Sequence, residues 1–149
     1  MNNILNNPAF LAYAITCLVL CANLLFLWLY SGALRGRSRT VMNEEDVQIF
    51  KAALAAVDPA PVARALRAHQ NAQASIYPFL LVGLLFVLAG GSAGFAAILF
   101  GTFTLARLLH SITYLRQMQP WRTISFVVGV LATVALMLDV AWLLASSPR

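Results

Sequence analysis

Three groups of side chains in this sequence have types and spacing suited to chemistry. Arg64, Arg67, Asn71 and Ala74 recur three and four residues apart, which puts them on one face of a helix. Arg107, His110 and Tyr114 repeat that spacing, and Arg122 follows eight residues after Tyr114. Cations beside neutral hydrogen-bonding groups form a receptor for a fixed anion, because the planar guanidinium binds both oxygens of a carboxylate. Asp139 stands apart as a lone acid deep in an apolar run, where an ionisable group is a functional candidate by default. A structural hydrogen bond is its expected role, with Asn23 as a candidate partner. Other chemistries have no footing: the sequence holds no Gly-rich phosphate loop, no Cys or His pair at metal-ligand spacing and no Ser-His-Asp set. Cys17 and Cys21, the only cysteines, lie inside an apolar run and read as packing residues, which excludes a secreted disulfide framework and a zinc site. His69 adjoins Arg67 but points elsewhere on a helix and reads as structural.

The elements that must position these groups follow from composition. The chain has 149 residues, 61% hydrophobic and 10% charged, with a net charge of +5, and its mean hydropathy is +0.80. A soluble domain carries roughly 25% charged residues, so too few charges exist here to cover a water-facing surface. The expectation is an integral membrane protein forming one domain over residues 1–149, an all-α bundle of four helices at about 8–31, 61–89, 94–118 and 121–146. Residues 32–60 are expected as a polar cytoplasmic loop. The first run is not read as a secretory signal, since its leader has no Lys or Arg and its bases follow it. Asp58 before Pro59 and Pro61 predicts a helix start with Asp58 as the N-cap.

The second helix is half polar, so its polar half must face protein, ligand or water. Arg116 and the Arg35 to Arg39 cluster as a whole read as bases snorkelling to lipid phosphates. Bases concentrate in the first and third connections, which places both connections in the cytoplasm and both termini outside it. In those positions they do not suggest a nucleic-acid partner. The Ala-rich composition and the lack of a retention signal favour a bacterial inner membrane over endoplasmic reticulum.

Several of these residues carry a resemblance. Arg67-Ala68-His69-Gln70-Asn71 followed by Ile76-Tyr77-Pro78-Phe79 is similar to the second-helix signature of the MAPEG family, the membrane-associated proteins of eicosanoid and glutathione metabolism. Its microsomal prostaglandin E synthase branch is the nearest in pattern. Arg107-Leu108-Leu109-His110-Ser111-Ile112-Thr113-Tyr114-Leu115 resembles that branch's third helix, and Arg122-Thr123-Ile124-Ser125-Phe126 the start of its fourth. The Asn-Pro-Ala start of the first helix and Arg35 also fit, so the likeness covers nearly the whole chain.

The resemblance implies a homotrimer with glutathione bound between neighbouring subunits near the cytoplasmic face. It implies that Arg35, Arg67, Asn71, His110, Tyr114 and Arg122 line the glutathione site. Arg122 would stabilise the thiolate, and Thr123 stands where the branch has a serine sometimes given a catalytic role. The implied activity is a detoxifying glutathione transferase acting on a lipophilic small molecule that enters from the lipid bilayer. Glutathione peroxidase and prostaglandin-endoperoxide isomerase reactions are further activities the resemblance admits.

Departures bear on that activity. Gln70 replaces a basic residue, Ala74 stands in place of a glutamate that binds the glutathione amino group or a neighbouring Arg, and Phe126 replaces a tyrosine that contacts the cofactor. The step from Tyr114 to Arg122 is one residue shorter. These changes weigh against the isomerase reaction more than against glutathione binding. The residues themselves agree with that binding: glutathione has two carboxylates, an ammonium and a thiol, so it calls for several cations with neutral partners. The alternatives are a non-catalytic lipid-binding relative, which loss of the thiolate-stabilising Arg would favour, and a small multidrug transporter. The transporter would call for an acid in the first span, which offers only Asn23.

Overall fold

The computed structural model describes residues 6–146. Residues 1–5 and 147–149 lie outside the described residues. Helix α1 spans Pro8–Ser38, α2 spans Glu44–Phe50, α3 spans Ala60–Leu88, α4 spans Ala93–Leu115 and α5 spans Trp121–Ser146. Four of these are long and apolar enough to cross a membrane.

Each boundary has a local cause. Asn7 caps α1, its Oδ1 accepting from the Ala9 amide at 2.9 Å, with Pro8 in the first turn. The helix then runs seven residues past the expected end at Ser31. At 1.5 Å per residue its 31 residues reach about 46 Å, well beyond the ~30 Å of hydrocarbon. Its last turns therefore extend into water, where Arg37 is solvated, and Arg39 closes the helix in the left-handed region at φ 51°. The expected polar loop is also more ordered than a loop. Within it lies α2, with Glu44, Glu45 and Asp46 in its first turn, where carboxylates complement the helix dipole. Two short parallel strands, β1 at Thr40–Val41 and β2 at Ala53–Leu54, flank it.

Asp58 is not the cap of α3; Pro59 occupies that position, and the Asp58 carboxylate accepts from Arg35 instead. The paired cation outcompetes the capping role because a charge-assisted fork is stronger than one amide bond. Ser92 caps α4, accepting from the Phe95 amide. That helix ends three residues before the expected 118. Gln117 turns into the left-handed region at φ 60°, and the Met118 amide bonds back to the Thr113 carbonyl at 2.9 Å.

In cross-section α1 lies beside α3 and α4, and α5 also lies beside α3 and α4, so α1 and α5 occupy opposite corners. Successive spans run antiparallel, which brings the end of α1, the start of α3, the end of α4 and the start of α5 to one end of the bundle. The core is aromatic in its middle. Phe79 of α3 stacks on Phe103 of α4 with centroids 3.6 Å apart, and both Phe79 and Phe86 meet Phe100 edge-on. Gly83 allows this closeness, since a Cβ there would lie 3.1 Å from the Phe100 ring and 3.3 Å from that of Tyr13.

Candidate functional site

The polar groups inside the bundle sit towards the basic end and form two adjoining clusters. The first joins α3 to α4. Arg107 is buried, 1% exposed, and its Nη2 donates to Asn71 Oδ1 at 2.8 Å and towards the Asn71 carbonyl at 3.5 Å. Its aliphatic stem runs against α5 at Gly129, where a Cβ would sit 3.4 Å from Arg107 Cδ. An alanine at 129 would sit in ordinary van der Waals contact with that stem.

The second cluster joins α4 to α5. His110 Nδ1 lies 3.0 Å from the Arg122 carbonyl oxygen and 3.5 Å from Ser125 Oγ. A carbonyl only accepts, so Nδ1 carries the proton, and Nε2 of the neutral ring is a buried acceptor with no partner among the described residues. Ser125 spends its own proton on the carbonyls of Trp121 and Arg122. The Arg122 guanidinium lies over the Tyr114 ring, 4.9 Å from its centroid, in cation–π geometry. Tyr114 in turn meets His110 edge-on at 5.6 Å, and Phe126 lies 6.0 Å from that imidazole. Gln119 completes the group. With its amide oriented to satisfy both neighbours, its oxygen accepts from Arg122 Nε at 3.1 Å and Nη2 at 2.7 Å, and its nitrogen donates to Thr123 Oγ1.

The structure thus brings His110, Tyr114 and Arg122 together, with Thr123 exposed beside Gln119, and it ties Asn71 to Arg107. It does not join Arg35 or Arg67 to these clusters by any hydrogen bond. Arg35 forks onto Asp58 Oδ1 through Nε at 3.1 Å and Nη2 at 2.7 Å, the one ion pair among the described residues. Arg67 is exposed on α3 and makes no hydrogen bond or ion pair among the described residues. The expected bond between Asn23 and Asp139 is absent. Asn23 Nδ2 donates to Ser111 Oγ of α4 at 3.1 Å. The reason is placement: α1 carries Asn23 at the corner opposite α5, which carries Asp139. Cys17 is half-buried and Cys21 exposed, both as free thiols, so Cys21 does not pack inside the bundle.

Arg107 belongs to the spacing group named in the sequence but not to the residues the resemblance implies, and Ser125 and Gln119 belong to neither. Arg107 was detectable, since it lies three residues before His110 on the same face. Ser125 and Gln119 had no signal, because their partners are a backbone carbonyl and a side chain brought near by the α4–α5 turn.

Comparison with known proteins identifies chains to which this one is similar over most of its length. The family model described as "MAPEG family" matches residues 13–142. Prostaglandin E synthase of Equus caballus is 31% identical over 135 residues, covering 87% of this chain and 88% of the relative. Prostaglandin E synthase of Rattus norvegicus is 32% identical over 142 residues, covering 91% and 87%. Microsomal glutathione S-transferase 1 of Homo sapiens is 30% identical over 143 residues, covering 91% of each.

Proposed function

Since the chain belongs to the MAPEG family, and is with its four apolar helices a multi-pass integral membrane protein, we propose that it is a glutathione-dependent transferase. It adds the glutathione thiolate to apolar electrophiles that arrive through the bilayer. The observation that carries this reading is the position of Arg122. Its guanidinium lies over Tyr114 in the first turn of α5, beside a buried His110 acceptor, at the basic end of the bundle. A thiolate needs a fixed cation and a positive helix end, and this place supplies both. The activity named for the human transferase relative supports glutathione as the nucleophile. The synthase relatives support an isomerase reaction of the same thiolate as a second activity.

The donor set suits glutathione. Among the described residues Arg67 has no polar partner and Arg35 keeps Nη1 unbonded beyond its fork on Asp58, so both can take a carboxylate. Glutathione, when bound, supplies the nucleophilic sulfur. The chain's residues hold its carboxylates and keep the sulfur at Arg122, with Thr123 as a hydroxyl donor beside it. We assign the bound form to a homotrimer in which neighbouring subunits complete the site. Both termini lie outside the cytoplasm, in a bacterial inner membrane.

Glutathione is expected to raise the thermal unfolding temperature of the detergent-purified protein. Arg67→Ala should weaken binding by about 1.5–3 kcal/mol, the value of a lost charged hydrogen bond. Calorimetric titration showing no heat with wild type would overturn the reading, while equal affinity in both proteins would remove Arg67 from the site. Orientation has its own test. In a background of Cys17→Ala and Cys21→Ala, a cysteine replacing Arg37 should react with an impermeant maleimide only from the cytoplasmic side. One replacing Ser92 should react only from outside. The opposite labelling pattern would separate the site from cytoplasmic glutathione.

A further inference from the structure

The outward face of α4 carries two apolar grooves, one on each side. The first, of about 630 Å³, lies against α1, with Val19, Ala22 and Phe26 on one wall and Leu108 and Leu115 on the other. The second, of about 550 Å³, lies against α5, with Leu105 and Leu109 facing Ile124 and Val128. Ile112 and Arg116 line both. Arg116 is the only charged residue among those lining either groove, and it caps the C-terminus of α4 at the basic end of the bundle. Its side chain is exposed, and its guanidinium makes no hydrogen bond or ion pair among the described residues.

Depth and length fit one leaflet of a bilayer. Thr16 meets Thr104 and Asn23 meets Ser111, each pair 88 residues apart, so α1 and α4 run parallel in one register. That register sets Tyr30 level with the chain just past Arg116, and Trp121 opens α5 at the same end. Arg116 is thus flanked by Tyr30 in the first groove and Trp121 in the second, aromatic donors of the kind that sit at the headgroup level. From there the α1 wall runs eleven residues back to Val19, about 16 Å. The α4 wall of the second groove runs fourteen residues back to Thr102, about 21 Å. Half of a ~30 Å hydrocarbon core is about 15 Å, the depth that one acyl chain fills.

We propose that this face of α4 binds one anionic diacyl phospholipid, which straddles the helix with a chain in each groove and its phosphate on Arg116. Two chains and one phosphate match two grooves that share a single cation. A lone base reaching the headgroup layer would take any phosphate, whereas a base at the junction of two grooves holds one lipid per chain. A second copy in the same orientation matches less well. The one acid in its spans, Asp139, lies eighteen residues past Trp121, about 27 Å from the level of Arg116. Net negative charge on the lipid is favoured because a zwitterionic headgroup brings its own cation to the arginine.

The detergent-purified, delipidated protein is titrated with phosphatidylglycerol, phosphatidylcholine and lysophosphatidylglycerol, and bound lipid is counted by native mass spectrometry. Wild type should hold one phosphatidylglycerol per chain and prefer it to phosphatidylcholine about fivefold, the effect of one basic residue on an anionic lipid. Arg116→Gln should abolish that preference. Raised salt should shrink it in wild type, a check that stands even if the variant fails to fold. Ala22→Trp fills the first groove and Val128→Trp the second. Each should cost the diacyl lipid about tenfold or more, since two linked chains bind as a bivalent ligand, and cost the single-chain lipid only about twofold. A preference that survives Arg116→Gln or ignores salt overturns the proposal, as does a diacyl affinity that either groove-filling variant leaves unchanged. A smaller oligomer mass in Ala22→Trp or Val128→Trp would mean that a second copy sits in the grooves, which overturns it too.

Discussion

Arg122→Leu is expected to abolish most of the conjugating activity, about twenty-fivefold at pH 7 as the thiolate fraction falls from roughly three quarters to 3%, while leaving glutathione bound. A free thiol has a pKa of about 8.5, so roughly 3% of it is ionised at pH 7. A guanidinium that stabilises the thiolate by about 2.7 kcal/mol raises the ratio of anion to thiol a hundredfold, making the anion the main form. The proton passes to bulk water, and the sulfur is left able to attack. With chlorodinitrobenzene as acceptor, the new sulfur–carbon bond forms as chloride departs.

The sign of the pH dependence follows. Wild type should be nearly flat around neutrality, because the thiolate is already formed. The variant should gain activity steadily as pH rises towards the free thiol's pKa. The ultraviolet absorbance of the thiolate should be present in the wild-type complex at pH 7 and missing in the variant. Should that band and the activity both survive, the activating group is Tyr114 or Thr123 and not Arg122.

Asn71→Ala is expected to lower the unfolding free energy by about 2–3 kcal/mol, because it strips a buried cation of its one short hydrogen bond. Asn71→Asp should be at least as stable as wild type, since it replaces a neutral acceptor at 2.8 Å with the counter-charge the guanidinium lacks. The comparison is read as thermal unfolding of the detergent-purified protein without glutathione, so that any part Asn71 takes in binding stays out of it. An unchanged melting temperature for Asn71→Ala would mean that the protein's stability does not depend on how Arg107 is satisfied. Alanine is the better helix former of the two replacements and aspartate the poorer, so propensity alone would favour Asn71→Ala. Opposite effects would therefore tie the result to Arg107 and not to helix propensity at position 71.

What the sequence determines by itself is local or additive. Hydropathy sums over a window, so the four spans around Leu20, Leu80, Phe103 and Leu136 are legible without any knowledge of their neighbours. Side-chain periodicity is also local, which is why Arg107, His110 and Tyr114 could be placed on one face and why Asn7 with Pro8 marks a helix start. The end of α1 was missed because the polar residues after Ser31 are compatible with helix once the chain has left the bilayer, and the pairing of Arg35 with Asp58 is a contact across 23 residues.

Partnership was decided only by the tertiary structure. Asn23 could in principle serve Asp139 or Ser111, and the order of helices around the bundle assigns it to Ser111. Arg107 could reach towards Asp139 or Asn71, and the packing of α3 against α4 gives it the neutral residue, with no ion pair among the described residues. His110 finds a backbone carbonyl at Arg122, a group that is the same in every residue and so leaves no mark in sequence. A helix face states which way a side chain points, whereas the neighbouring helix supplies what it meets. That neighbour is chosen by aromatic packing around Phe79, Phe100 and Phe103, which depends on shape in three dimensions and not on the order of residues along any one helix.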